Sequence, residues 1–259
     1  FEQMAKMRRL AGDNIPEFLL THPISSSRVA DAFNAADQVE SKYTKKDSLD
    51  YQLIRGRLRI KYEEIPLNAI RKIQGIIKDD PSNENRYALA VAYKRGNKYQ
   101  DSLDMIDGLI NENPKNLILQ NTKAEILLDK GDAEGALKIV NNALNISTKN
   151  FPLSVLKAKI LSYKKELFAA EEIIRDQLLR RNTDPYLWLY LSEIQRDSKN
   201  VVGYHRSRAE YFLLLGQYED ALNQLQFALK LTENNFQISE SIMTKINTTR
   251  KIIEGTRGQ

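Results

Sequence analysis

GDAEGALKIVNNAL, from Gly131 to Leu144, and GQYEDALNQLQFAL, from Gly216 to Leu229, share one pattern, G-x-x-x-x-A-x-x-x-x-x-x-A-L. A third stretch, NKYQDSLDMIDGLINENP, keeps the spacing with Ser102 and Leu109 in the two alanine places and ends on Pro114. Pro81 lies 33 residues before it. Each fixed position has a steric reason. Small side chains such as Ala136 and Ala143 let two helices approach closely, Gly131 suits the left-handed residue that closes a first helix, and Pro114 cannot extend a second one. The recurring unit is therefore a pair of helices around a tight turn.

The spacing resembles the tetratricopeptide repeat, a helix-turn-helix unit of about 34 residues. Repeats are expected at about 50–83, 84–116, 117–150 and 151–184, with an irregular pair across 185–235 and a closing helix from about 236 to 254. One stretch argues against this locally. LIRGRLRIKY, residues 53–62, alternates apolar and basic residues with the period of a half-exposed strand. Helix is the expectation, because Ala69, Ile76 and Pro81 fall at second-helix positions of a repeat starting near Asp50 and no partner strand is visible. Stacked pairs of this kind bury their faces only against neighbours, so the fold class is an all-α solenoid with a concave surface open to an extended or helical guest.

Composition supports that class. In 259 residues there are only 11 Gly and 7 Pro, and 42% of the chain is hydrophobic, enough for a continuous core. The net charge of +5 is the difference between 39 basic and 34 acidic side chains, too small an excess to argue for nucleic acid. An RNA-binding array would also need basic and hydrogen-bonding residues recurring at one position of every repeat, whereas the concave positions vary among Ile, Ala, Asn and Val. The absence of cysteine excludes disulfides, thiol nucleophiles and thiolate metal sites and leaves the compartment open. No apolar run reaches the roughly 18 residues a membrane span needs. The opening FEQMAKMRRL, already in helical register, reads as part of a longer chain.

Residues 1–45 depart from the repeat. Two short helices are expected to precede the repeats. One runs from about Glu2 to Leu10 and stops at Gly12. After an extended turn held by Pro16 and Pro23, a second is capped by Ser25 or Ser26 and reaches about Glu40, with Val29, Ala32, Phe33 and Ala36 as its apolar stripe. Within this segment PEFLLTHP ends on His22-Pro23, and Arg28 follows six positions after the histidine. The stretch resembles the end of the catalytic domain of zinc metallopeptidases that carry a His-Pro-x-x-x-x-Arg motif. SLDYQLIRGRLRIKY and HRSRAEYFLLLGQYEDALNQLQFALKL are similar to the repeat domain of one branch, the bacterial periplasmic beta-barrel assembly-enhancing proteases. The resemblance runs through nearly the whole chain.

It implies a domain boundary near residue 45, with 1–45 the tail of a metallopeptidase domain and 46–259 a tetratricopeptide-repeat domain. It also implies a periplasmic location and a chaperone and quality-control role in outer-membrane protein assembly. The partners implied are unassembled outer-membrane proteins, the assembly machinery and the chain's own protease domain, with no nucleic acid and at most peripheral membrane contact. Zinc belongs to the parent enzyme. The H-E-x-x-H helix that would hold it is missing here, and the chain has two histidines, His22 and His205. No zinc and no peptidase activity are therefore expected of this chain alone. In the parent, His22 is a candidate fourth zinc ligand that would displace the activating water, the alternative being a loop-fixing hydrogen bond. Arg28 could orient a substrate carbonyl or an acidic zinc partner through its planar fork of donors, the alternative being an ion pair with Glu17 or Asp31.

In the repeats, Tyr51, Tyr62, Tyr163 and Tyr186 fall at or near first-helix positions that can face the concave side, together with Asn121, Glu125 and Lys159. Tyrosine suits such a groove because it has a large apolar face and a polar tip; helix packing is the competing role. Trp188 is expected to pack between helices, His205 to be structural or solvated, and Arg55, Arg57, Arg59 and Lys61 to form a solvated surface. The function expected is protein docking, with a stand-alone peptide-binding adaptor as the alternative.

Overall fold

A computed structural model describes residues 30–35, 46–232 and 235–257. The chain divides into two units, Phe1–Asp47 and Ser48–Gln259. In the first, residues 30–35 are helical and Phe33 is exposed; His22 and Arg28, with most of the two short helices expected there, lie outside the described residues. Among the described residues, the second unit contains twelve helices and no strand.

They are α1 (Leu49–Lys61), α2 (Pro66–Asp79), α3 (Asn83–Arg95), α4 (Tyr99–Glu112), α5 (Leu117–Lys130) and α6 (Ala133–Ile146). There follow α7 (Phe151–Tyr163), α8 (Leu167–Leu178), α9 (Pro185–Asp197), α10 (Val201–Leu214), α11 (Tyr218–Lys230) and α12 (Phe236–Arg257). Their starts are written in the sequence. Asn116, Asp132, Asn150, Asp184 and Asn200 each accept a hydrogen bond from a backbone N–H of the first turn they precede, and Pro66, Pro152 and Pro185 sit where no intrahelical donor is needed.

The turns set the period. Left-handed residues occur at Asn97, Gly131, Lys165 and Lys199, each 34 residues after the last, and then at Gly216, only 17 further on. Small residues keep the same step. Ala90, Ala124, Ala158 and Ser192 on the first helices are fully buried, as are Ser102, Ala136 and Ala170 on the second helices. Ser102 Oγ donates to Ala90 O at 2.7 Å, showing how near the two helices of a pair come. The second-helix position then skips to Ala221, half a period out of step. The segment 185–235 is thus not a pair, as the sequence suggested, but the three helices α9, α10 and α11 joined by two turns of the same kind. α10 serves as second helix to α9 and first helix to α11.

From α2 onward every helix packs on its successor, and the buried apolar side chains form four clusters strung along the stack. This is the nearest-neighbour construction of a solenoid. α1 departs from it, because its main packing partner is α3 and not α2. The approach is close. A Cβ on Gly56 would lie 2.7 Å from Glu84 O, while Leu53 and Ile60 on either side are buried. Residues 53–62 are therefore helical, and their period of two reflects a different division of labour. Arg55 and Arg59 both pair with the buried Glu84 carboxylate, Arg59 also donates to Asn85 Oδ1 at 2.7 Å, and Arg57 reaches α5. The expectation of a solvated arginine surface is corrected accordingly: three of the four cations hold α1 to its neighbours. The opposite face of α1 exposes Tyr51, Ile54, Leu58 and Tyr62.

Candidate protein-binding groove

The first helices α3, α5, α7 and α9 present one continuous face, and two adjoining clefts run along it. The first, of about 410 Å³, lies between Arg57 of α1, Lys94 of α3, Asn121 and Glu125 of α5, and Val155 and Lys159 of α7. The second, of about 680 Å³, continues over Phe151, Val155 and Lys159 to Tyr186, Tyr190 and Glu193 of α9. Shared walls at Phe151, Val155 and Lys159 make them one groove.

At the α1 end the groove is polar and internally satisfied. Arg57 Nη2 donates to Glu125 Oε2 and to Thr122 Oγ1, each at 3.0 Å, and its Nε donates to Tyr87 OH at 3.1 Å. Lys94 Nζ lies 3.1 Å from Glu125 Oε2 and 3.3 Å from Asp129 Oδ2. Asn121 Nδ2 donates to Glu125 Oε1 at 2.8 Å, which leaves its buried Oδ1 without a donor. Burial works to raise the Glu125 pKa, but the Arg57 and Lys94 charges and hydrogen bonds prevail and hold it below the ordinary carboxylate value. Burial likewise opposes the charge of Arg57, and Tyr87 and Glu125 more than offset it, so the guanidinium pKa is raised.

The sign of the Glu125 shift gives a pH expectation. A depressed folded pKa stabilises the fold above the unfolded value and loses that contribution as pH falls through the folded one. Glu125→Gln should therefore lower Tm most above pH 4.5, the ordinary value. The gap from wild type should shrink as acid protonates Glu125. Thermal melts between pH 3 and 7 check this; a gap independent of pH would refute it.

At the α9 end the groove is apolar and aromatic. Tyr190 OH donates to Ser162 Oγ at 3.0 Å, tying α9 to α7 and fixing the ring. Burial, with Glu193 and Asp197 nearby, pushes its pKa up. Tyr186 is 75% exposed, so its ring is largely open to solvent. Arg181 stacks over the Phe151 ring at 4.2 Å, flanking the groove mouth.

Of the residues expected in the groove, the structure brings Asn121, Glu125, Lys159 and Tyr186 together. It does not bring Tyr51, Tyr62 or Tyr163 there. The first two lie on α1 and its C-cap, and Tyr163 lies at the end of α7 near Gly131. Arg57, Lys94, Val155, Tyr190 and Glu193 escaped sequence reasoning. The 34-residue step could have found several, since Glu125, Lys159 and Glu193 occupy one repeat position and Asn121, Val155 and Leu189 another. Trp188 packs as expected against the α7–α9 core and donates its Nε1–H to Asn182 O at 2.7 Å. His205 shares a 2.9 Å hydrogen bond with Gln224. The described residues do not fit a zinc centre, because no three His, Cys, Asp or Glu side chains gather among them. No described helix is long and apolar enough to cross a membrane.

No family model matches the chain. It is 23% identical over 218 residues to the Beta-barrel assembly-enhancing protease of Yersinia pestis, covering 82% of this chain and 44% of that protein. The chain thus spans less than half the length of this relative. Among solved structures, PilW, a widely conserved type IV pilus biogenesis factor, superposes with a TM-score of 0.54 at 16% identity over 76% of this chain and 92% of that one. The human IFIT1 dimer with m7Gppp-AAAA gives 0.51 at 16% identity over 85% and 56%. These likenesses bear on fold alone. By fold the chain is a tetratricopeptide-repeat solenoid, and by sequence it is similar to part of a beta-barrel assembly-enhancing protease, the resemblance first met in its own residues.

Proposed function

We propose that this chain is the protein-docking part of a periplasmic zinc metallopeptidase that serves outer-membrane protein assembly and quality control. The observation that carries the docking role is the groove itself, built from successive first helices and ending in an exposed aromatic wall at Tyr186 and Tyr190. Sequence similarity to the assembly-enhancing protease supplies the setting. On this reading residues 1–45 close the protease domain and 46–259 hold unassembled outer-membrane proteins, the assembly machinery or the protease domain itself. Zinc chemistry belongs to the part of the parent enzyme that precedes this chain. His22 then acts as a latency ligand and Arg28 as a substrate-orienting group, both in the intact enzyme only.

The test places a photo-crosslinking amino acid at Tyr186 of the full-length protein in living cells. Adducts identified as outer-membrane β-barrel proteins or their assembly factors are expected. Adducts with cytoplasmic proteins alone would replace this reading by the stand-alone adaptor. In the same protein His22→Ala should raise proteolysis, and unchanged activity with unchanged zinc content would remove the latency role.

A further inference from the structure

The groove's charges are not evenly satisfied. Arg57, Lys94, Glu125 and Asp129 neutralise one another, whereas Asp184 accepts the Tyr186 N–H as the α9 cap and has no ion-pair partner among the described residues. Lys159 and Glu193 have no ion-pair partner among the described residues, yet both line the second cleft. They stand at the same repeat position on α7 and α9, 34 residues apart. The same cleft carries the apolar side chains of Val155, Leu189, Tyr186 and Tyr190, with Val155 and Leu189 one turn before the two charges on their helices. The guest that matches this surface carries a negative charge, an apolar side chain and a positive charge.

Tyr190 OH on α9 reaches Ser162 Oγ on α7 at 3.0 Å, which sets the two helices about one helix diameter, about 10 Å, apart, and an extended chain covers about 3.4 Å per residue. The two charges of an extended guest crossing α7 and α9 therefore fall about three residues apart. We propose that the groove binds an extended segment of a partner protein in which an acidic and a basic side chain three residues apart flank a bulky apolar one. This rests on the docking role proposed above and adds the chemistry of the guest. Aromatic anchors in a desolvated pocket carry most of the affinity at such surfaces, while rim charges decide which sequence is preferred and in which direction it runs.

The experiment uses the full chain and fluorescein-labelled octapeptides read by anisotropy. The parent peptide is Gly-Ser-Asp-Phe-Gly-Lys-Ser-Gly, and two others place Asp or Lys at both charged positions. The parent should bind best to the wild-type chain, and replacing its Phe by Gly should cost at least about tenfold. Lys159→Glu should weaken the parent about fivefold and favour the doubly basic peptide, and Glu193→Lys should weaken it similarly and favour the doubly acidic one. Both side chains are exposed, so neither substitution disturbs the core. If the variants bind all three peptides alike, the charge pattern is wrong while docking stands. If Tyr186→Ala also leaves Phe-dependent binding unchanged, or no peptide binds at all, groove docking fails with it.

Discussion

In a Gly56→Val chain, α1 opens from the stack by about 3 kcal/mol, which appears as a rise of roughly 150-fold in amide exchange over Leu49–Lys61. The cause is backbone, not side chain. The new Cβ would sit 2.7 Å from Glu84 O and 3.5 Å from Ala88 N, and neither atom can swing aside without moving α3. Overpacking of a tight contact costs about 1–3 kcal/mol, and the upper end applies because a rigid helix is the obstacle. As α1 backs away, Leu53 and Ile60 lose their burial and Arg55 and Arg59 lose Glu84. Exchange in α7 to α11 should not change, since each helix of a solenoid depends on its neighbours only. Gly75→Val on α2 is the control, because nothing lies within 4 Å of a Cβ there. Equal exchange in the two variants would show that the α1–α3 approach is not tight.

That contact also shows where sequence reasoning stops. Helix starts and turns were legible because they depend on residues close in the chain: an Asn or Asp before a first turn, a small residue where two helices meet, Gly131 where φ is positive. The half-period slip between Lys199 and Gly216 was missed because Lys199 adopts the left-handed turn without being glycine. Alignment on Gly131 and Gly216 gave the right motif and hid that α10 belongs to two pairs. The placement of α1 was not legible for a different reason. Alternating arginines at 55, 57 and 59 look solvated unless the acids opposite them are known, and Glu84 and Glu125 lie 25 to 68 residues away in sequence. The groove residues divide in the same way. Those at a repeat position, such as Asn121 and Lys159, could be reached by counting, while Tyr51 and Tyr62 had the right composition on a helix that had left its regular place.

Tyr87→Ala should be the most damaging single truncation at this end of the stack, destabilising α1 to α5 by about 3–5 kcal/mol. The side chain is fully buried. Its hydroxyl meets Thr122 Oγ1 at 2.7 Å and accepts from Arg57 Nε, so one ring joins α1, α3 and α5. Tyr87→Phe separates the two contributions. It keeps the packing and leaves Arg57 and Thr122 short of a partner, for a loss of about 1–2 kcal/mol. Hydrogen exchange resolved by helix is the appropriate reading, since a stack of this length need not unfold in one step. Similar losses for Phe and Ala would mean that the hydroxyl bonds, not the ring, hold α1. The position has a further consequence. Tyr87 stands one repeat before Asn121 and two before Val155, which line the open groove. At Tyr87 the same face is covered by α1, whose Arg57 supplies one of the two cations paired with Glu125. Loosening α1 through Tyr87→Ala should therefore expose one more repeat of groove and strip Glu125 of a partner. Guests bearing arginine should gain affinity for this variant relative to wild type.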